Sequence, residues 1–109
     1  MFDILIHNAT VIDGTGNNRY KADIGIQKGK ISAIGILNQS NSNRIINAEN
    51  LIVSPGFIDI HTHSDVSLLV DPGGESKAHQ GVTTEVTGNC SYSTFPAGNA
   101  GPKKLQESI

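Results

Sequence analysis

Short apolar runs separated by turn residues fill the first half of the chain, as far as residue 53. Each run is rich in β-branched and other apolar side chains, which is typical of strands bounded by turns. Together the runs predict a small β-sandwich segment over residues 1–53. The predicted strands cover residues 4–6, 9–12, 23–26, 30–34, 44–46 and 51–53.

Two turn regions in this half carry their own predictions. Residues 27–30 join two predicted strands, and Gly29 can adopt the positive φ that a tight hairpin requires. Residues 38–43 are rich in Asn, Ser and Gln. We therefore expect them to form an exposed loop with little order.

A strand with two histidines follows the turn Pro55-Gly56. The run is short and almost continuously apolar, which is the pattern of a strand covered on both faces. Because side chains alternate along a strand, His61 and His63 should share one face with Asp59. Zinc, iron or nickel would accept two such imidazoles as ligands. An isolated His-x-His can equally be two polar residues at the end of a strand.

Helix-like segments and a further strand come next. Residues 66–70 predict a helical turn, and residues 75–80 predict a short helix that ends at Gly81. Glycine suits the left-handed position that follows a helix. A β-rich run then leads to a Gly-Asn turn beside Cys90. Residues 103–109 follow a proline and predict the start of another helix.

The nine residues from Pro55 to His63 resemble the first barrel strand of the amidohydrolase superfamily of metal-dependent hydrolases. The signature of that strand is Pro-Gly-hydrophobic-hydrophobic-Asp-x-His-x-His, and each of its elements is present here. Residues 8–16, Asn-Ala-Thr-Val-Ile-Asp-Gly-Thr-Gly, also resemble the way these hydrolases commonly start. The resemblance implies a (β/α)8 barrel with a metal at the carboxyl ends of its strands.

The segment from Gly81 to Cys90 resembles the second barrel strand of the N-acyl-D-amino-acid deacylases, where Gly-Val-Thr-Thr leads to Gly-Asn-Cys. This resemblance implies that the Cys90 thiolate joins His61 and His63 as a metal ligand. It would replace the carboxylated lysine of dihydroorotases and hydantoinases. A nearby cation lowers the pKa of a thiol, and the implied cofactor is zinc, one or two ions in the complete enzyme. A cysteine without this context is more often a small buried apolar residue.

Three further polar residues, Asp59, Asp65 and Asn89, are expected around these ligands, where they orient them or face the substrate. Asp59 can accept a ring N–H from a histidine, or it can be a buried carboxylate satisfied by backbone donors. Asp65 can orient the site, or it can be a solvated loop residue. His7 is interpreted as structural and His79 as a surface or packing residue.

Length limits the fold class, because the chain has 109 residues and a closed eight-stranded barrel needs about 250. We predict a mixed α/β chain with the β-sandwich segment in residues 1–53. Residues 54–109 would form the first two β/α units of an incomplete amidohydrolase (β/α)8 barrel. The chain is interpreted as an N-terminal fragment whose general base and remaining metal ligands lie downstream. Little activity of the isolated chain is therefore expected.

Three functions remain open at this point. The resemblance implies that the parent enzyme is a hydrolase that cleaves the amide bond of small N-acyl-D-amino acids. The second is a cyclic-amide hydrolase of the hydantoinase or dihydroorotase type, which requires a bridging lysine downstream and gives Cys90 no role. The third is a non-catalytic module that serves in binding or assembly.

Composition narrows the range of partners. Eight Lys and Arg residues against ten Asp and Glu residues give a net charge of -2, so no basic footprint for nucleic acid is present. One cysteine suits a reducing compartment, and we expect a cytoplasmic location. No apolar stretch approaches the roughly 20 residues of a membrane-spanning helix. Open strand edges would allow self-association.

Overall fold

The computed structural model describes residues 1–90 and Ser93 of the chain. The chain divides into two compact units, Met1–Pro55 and Gly56–Ile109, and the described residues of each unit form one sheet. The helix predicted in residues 103–109 lies outside the described residues. None of the helices in the described part is long and apolar enough to cross a membrane.

The first unit is built around five strands, β1 Phe2–Val11, β2 Tyr20–Gln27, β3 Lys30–Gly35, β4 Ser42–Asn47 and β5 Ile52–Val53. They form one sheet with the order β3-β2-β1-β4, and β5 also pairs with β1. β1 runs antiparallel to β2, and β2 runs antiparallel to β3. β4 and β5 both run parallel to β1. A 3-10 helix at Gln39–Asn41 precedes β4.

The predicted strands at residues 4–6 and 9–12 are one continuous strand, β1. Its pairing with β2 shifts register between Ile6 and Ala9, and Asn8 between them has a φ of 61°. A residue in the left-handed region is typical of a β-bulge, which bends a strand without ending it. Asn8 therefore interrupts the regular strand pattern of the sequence, and this interruption led to the prediction of two separate strands.

The two turn predictions have different outcomes. Lys28 and Gly29 join β2 to β3 with φ values of 52° and 71°, which confirms the positive φ predicted for Gly29. The prediction for residues 38–43 is right about exposure, since residues 38–41 and 43 are exposed, but wrong about the lack of order. The Asn38 side chain accepts hydrogen bonds from the Ser40 backbone N–H at 3.0 Å and from the Ser40 hydroxyl at 2.8 Å. This local cap orders the 3-10 helix, and β4 begins directly afterwards at Ser42.

The core of the first unit is small. Leu5 has no exposed surface, while Ile31 and Ile36 are exposed. The first unit contributes one sheet, which forms a single layer. The second layer of the predicted β-sandwich therefore stays a prediction. A separate buried cluster, which does not include Leu5, consists of Ala9, Val11, Ala22, Ile24 and Ala48.

The second unit contains a strand-helix-helix-strand arrangement. The two strands pair in parallel, with Asp59 opposite Glu85. This is possible because the helical crossover returns the chain to the end of the sheet at which the first strand begins. Gly81 has a φ of 80°, which confirms the left-handed conformation predicted for it. The helix predicted over residues 75–80 is shorter than expected, because it ends at Ala78 and turn residues lead to Gly81. The elements are β6 Phe57–Asp59, α1 Ser64–Val70, α2 Glu75–Ala78 and β7 Val82–Glu85.

The apolar side chains of β6 are exposed within the described structure. Phe57 is 60% exposed and Ile58 is 63% exposed. The prediction of a strand covered on both faces is therefore wrong for this chain, because a two-stranded sheet with two short helices offers too little surface to cover them. The apolar composition of the run did predict that a strand would form here.

Candidate metal centre

His61 and His63 lie beyond the end of β6, which stops at Asp59. His63 is the N-cap residue of α1, with φ −114° and ψ 31°. The prediction that strand alternation aligns the two rings is therefore wrong, because the chain bends after Asp59 and turns into a helix. The two ring centroids still lie 5.6 Å apart, with the ring planes at 69°.

Cys90 reaches the histidines through a tight turn that follows β7. Gly88 has a φ of 84° and Cys90 a φ of 55°. A cysteine in the left-handed region is uncommon, and such backbone conformations concentrate at functional sites. The turn directs the thiol so that Cys90 Sγ lies 3.3 Å from His61 Nε2.

The three predicted metal ligands come together in space. The ligand atoms of His61, His63 and Cys90 all lie within 4.8 Å of one another, and the three residues are exposed. Tetrahedral zinc with its usual bond lengths places two donor atoms roughly 3.3 to 3.6 Å apart. Two imidazole nitrogens and one sulfur also match the donor atoms that zinc prefers. The geometry therefore fits a zinc ion with small adjustments of the side chains.

Asp59 contacts the backbone of His61. One carboxylate oxygen accepts the His61 backbone N–H at 3.1 Å, and the other pairs with Lys77 Nζ at 2.5 Å. The backbone contact agrees with the interpretation of Asp59 as a buried carboxylate satisfied by backbone donors, but the side chain is only partly buried and its second partner is a lysine. The hydrogen bond from Lys77, followed by that from the His61 backbone, lowers the pKa of Asp59.

Asp65 connects α1 to the turn that carries Cys90. Its Oδ2 accepts the Gly88 backbone N–H at 3.0 Å, while its Oδ1 is buried and has no hydrogen-bond partner in the part of the chain that the structure describes. Asp65 lies in the first turn of α1. The alternative of a solvated loop residue is therefore wrong, because the helix places the carboxylate against the Gly88 backbone.

Asn89 joins the Cys90 turn to the histidine segment. Its Nδ2 donates to the Val86 carbonyl at 2.9 Å and to the Thr62 carbonyl at 3.2 Å. Thr62, the residue between the two histidines, is buried. The Asn89 amide thus links the backbone that carries one ligand to the backbone that carries the other two.

Lys77 and Glu85 lie beside the site and were not predicted from the sequence. Lys77 is separated from Asp59 by 18 residues, and no local pattern signals so distant an ion pair. The hydrogen bond to Asp59 raises the pKa of Lys77, and the charges of Asp59 and Glu85 add to this effect. His79 is exposed. Its position agrees with the surface interpretation.

Two family models match the chain. The model of the amidohydrolase family covers residues 44–101, which is more than half of the chain. The model of the urease alpha-subunit, N-terminal domain, covers residues 1–58. The two matches overlap at the boundary between the two units.

Characterised relatives point to the same group of hydrolases. N-acyl-D-glutamate deacylase of Alcaligenes xylosoxydans xylosoxydans is 45% identical over 95 residues, which cover 87% of this chain and 20% of that protein. A solved D-aminoacylase, described by its binuclear metal centre, superposes with a TM-score of 0.84 and 45% identity, covering 92% of this chain and 21% of that one. The chain therefore spans about one fifth of the length of the curated relatives it matches.

A second solved relative contains zinc. N-acyl-D-glutamate deacylase from Bordetella bronchiseptica, complexed with zinc and a phosphonate mimic of the tetrahedral intermediate, superposes with a TM-score of 0.83 and 43% identity. The match covers 88% of this chain and 20% of that one. A solved D-hydantoinase is more distant, with a TM-score of 0.57 and 31% identity over 77% of this chain and 19% of that one.

Proposed function

The chain belongs to the amidohydrolase family, and we propose that it supplies part of the metal centre of a zinc-dependent hydrolase. The substrates of this enzyme would be small N-acyl-D-amino acids, whose amide bond is cleaved to a carboxylate and a D-amino acid. The single observation that carries the proposal is the position of the Cys90 thiol, 3.3 Å from His61 Nε2. A sulfur ligand is the feature that distinguishes this group from the lysine-bridged cyclic-amide hydrolases.

We propose His61, His63 and Cys90 as the residues that hold the metal. The donor atoms support this assignment, because a nitrogen-rich set with one sulfur suits zinc. When bound, zinc supplies Lewis-acid chemistry, since it activates water at neutral pH and polarises an amide carbonyl. The solved D-aminoacylase is described by a binuclear centre, so we propose one or two ions in the complete enzyme.

Asp65 and Asn89 would keep the Cys90 turn in place. Each holds a backbone group of the turn or of the histidine segment, and such fixed backbone lowers the entropy that the ligands lose when a metal binds. Outer hydrogen-bond partners of this kind commonly change metal affinity 10–100-fold. Asp59 would act on His61 in the same way, through the backbone N–H that it accepts.

The wider architecture is also part of the proposal. Residues 1–53 would belong to a β-sandwich segment and residues 54–109 to the first two units of a (β/α)8 barrel. The parallel pairing of β6 and β7 supports the barrel, since consecutive barrel strands are parallel neighbours. The general base would lie on a strand outside this chain. A cytoplasmic location and self-association through open strand edges remain proposals.

A chimaera tests the proposed reaction. The matched region of the solved D-aminoacylase is replaced by this chain, and hydrolysis of N-acetyl-D-amino acids is measured together with zinc content. We expect turnover by the chimaera, and a loss of kcat/KM of roughly a hundredfold or more with Cys90→Ser, because even indirect partners of a metal ligand cost 10–100-fold. A His79→Ala variant serves as the matched control, since His79 is exposed on α2's C-terminal side, and it should retain activity.

Two results would reject the proposed function. A folded chimaera that binds zinc but does not cleave N-acetyl-D-amino acids would exclude these substrates. Hydrolysis of hydantoins that is indifferent to Cys90→Ser would favour the cyclic-amide alternative instead.

A further inference from the structure

Lys77 lies at the centre of a charged cluster beside the proposed metal centre. Its Nζ pairs with Asp59 Oδ2 at 2.5 Å, and the two side chains are 33% and 26% exposed. Asp59 lies opposite Glu85 across the parallel pair of strands. Lys77 therefore pairs directly with Asp59, while Glu85 acts on it only through its charge.

Asp59 links Lys77 to His61, one of the proposed metal ligands. The oxygen that is not paired with Lys77 accepts the backbone N–H of His61 at 3.1 Å. A carboxylate held at both oxygens cannot rotate freely, so the His61 backbone has a fixed anchor at the point where β6 ends. We propose that Lys77 is a positioning residue that orients His61 through Asp59.

The surroundings of Lys77 favour this role over that of a surface ion pair. The Lys77 backbone is itself fixed, because its N–H donates to the Gly74 carbonyl at 3.1 Å at the start of α2. Glu85 Oε2 is buried and has no hydrogen-bond partner in residues 1–90 or Ser93. Without a cation nearby, two carboxylates on adjacent strands would repel each other and free Asp59 to turn toward the imidazoles.

The inference rests on the proposed metal centre, so its test uses metal binding by the 109-residue chain. Co²⁺ is titrated into the wild-type chain and into Lys77→Met, and the thiolate-to-cobalt charge-transfer band reports binding. We expect Lys77→Met to weaken Co²⁺ binding by about tenfold or more, as is usual for outer partners of a ligand. Lys77→Arg should restore most of the affinity, because it keeps the charge.

A double-variant cycle separates positioning from a general structural effect. If Lys77 acts through Asp59, the Lys77→Met and Asp59→Asn pair should weaken Co²⁺ binding no more than Asp59→Asn alone. Amide hydrogen exchange of His61 in the metal-free chain provides a second measurement, which should speed up in Lys77→Met. Lys30→Met is the matched control, since Lys30 is an exposed lysine of β3, and it should change neither quantity.

The outcomes distinguish the two proposals. Equal Co²⁺ affinity of the wild-type chain and Lys77→Met, or additive effects in the cycle, would overturn the role of Lys77 and leave the metal centre intact. Absence of the charge-transfer band in the wild-type chain would overturn the metal centre, and with it the positioning role. Reduced unfolding stability of Lys77→Met with unchanged affinity and His61 exchange would identify a purely structural ion pair.

Discussion

Asp23 in the first unit and Asp59 in the second make similar contacts in different surroundings. Asp23 accepts backbone N–H groups from Asn8 and Leu37, each at 2.9 Å, and pairs with His7 Nδ1 at 2.8 Å. Asp59 likewise accepts a backbone N–H and pairs with a basic side chain. The Asp23 side chain is 8% exposed, whereas the Asp59 side chain is 26% exposed.

The difference in exposure and partners indicates that the two carboxylates have different roles. Asp23 joins β2 to the bulge of β1 and to the segment after β3, so its contacts secure the sheet. Asp59 holds the backbone of His61, a proposed metal ligand, so its contacts would position the proposed metal centre. Buried apolar side chains stabilise the first unit, while short hydrogen bonds between loops organise the donor atoms of the second. Substitutions should therefore change stability in the first unit and metal affinity in the second.

The largest effect on stability is expected at Leu5 in β1, the largest fully buried side chain in the described part of the chain. Leu5→Ala should lower the free energy of unfolding by about 2–5 kcal/mol, because it removes buried apolar surface and leaves a cavity. Urea denaturation measures the loss. Ile31→Ala is the matched control at a position that is 63% exposed, and equal losses in both variants would contradict a core at Leu5.

Asp23 gives the next effect, with a defined pH dependence. Burial would raise the pKa of Asp23, but hydrogen bonds from Leu37, Asn8 and His7 hold it below its ordinary value. A carboxylate with a lowered pKa in the folded state stabilises the protein above its unfolded pKa of about 3.9. That stabilisation is lost as pH falls through the folded value.

The Asp23→Asn variant isolates this contribution. It should cost about 1–3 kcal/mol at neutral pH, because an amide cannot accept all the hydrogen bonds of the carboxylate. Its unfolding free energy should also depend less on pH below about 4 than that of the wild type. Denaturation curves at several pH values measure both effects, and parallel pH profiles for the two proteins would contradict the assignment.

In the second unit, Asn89→Ala should act on affinity more than on stability. Loss of the hydrogen bonds to Val86 and Thr62 would release the Cys90 turn, and we expect about tenfold weaker Co²⁺ binding. Titration of the charge-transfer band measures it. Asn18→Ala, at an exposed loop position, is the control. A stability loss as large as that of Leu5→Ala would erase the contrast between the two units.

The smallest effect is expected at the β2–β3 turn. Gly29 has a φ of 71°, and an added Cβ would meet nothing within 4 Å. Gly29→Ala should therefore lose about 1 kcal/mol from backbone strain alone. Gly29→Asn should lose less, since Asn tolerates the left-handed region better. Thermal or urea unfolding distinguishes them, and equal losses would indicate a steric cause instead.

Local signals made part of this structure predictable from the sequence. Gly29 and Gly81 mark a hairpin and a helix end because each requires a positive φ. Asn38 misled the prediction, since the same composition that indicates a loop can cap a short helix. The apolar pattern predicted β6 but not its end at Asp59. Apolar periodicity carries little information about strand boundaries.

The sequence predicted which residues form the candidate site better than it predicted how the backbone positions them. The short spacing of His61 and His63 and the resemblance around Cys90 predicted three residues whose ligand atoms the structure places within 4.8 Å of one another. Strand alternation was the wrong reason, since a bend and a helix start place the two rings. The ion pair of Lys77 with Asp59 depends on how α2 packs near β6 and β7, and that information is not present in any local stretch.

The left-handed backbone of Cys90 has an evolutionary consequence. Mutation to glycine or asparagine would relax the main chain at this position, by about 1 kcal/mol or more for glycine. Selection for stability alone would thus favour replacement of Cys90 during evolution. Descendant genes that retain cysteine here would record continued selection for what the sulfur atom does.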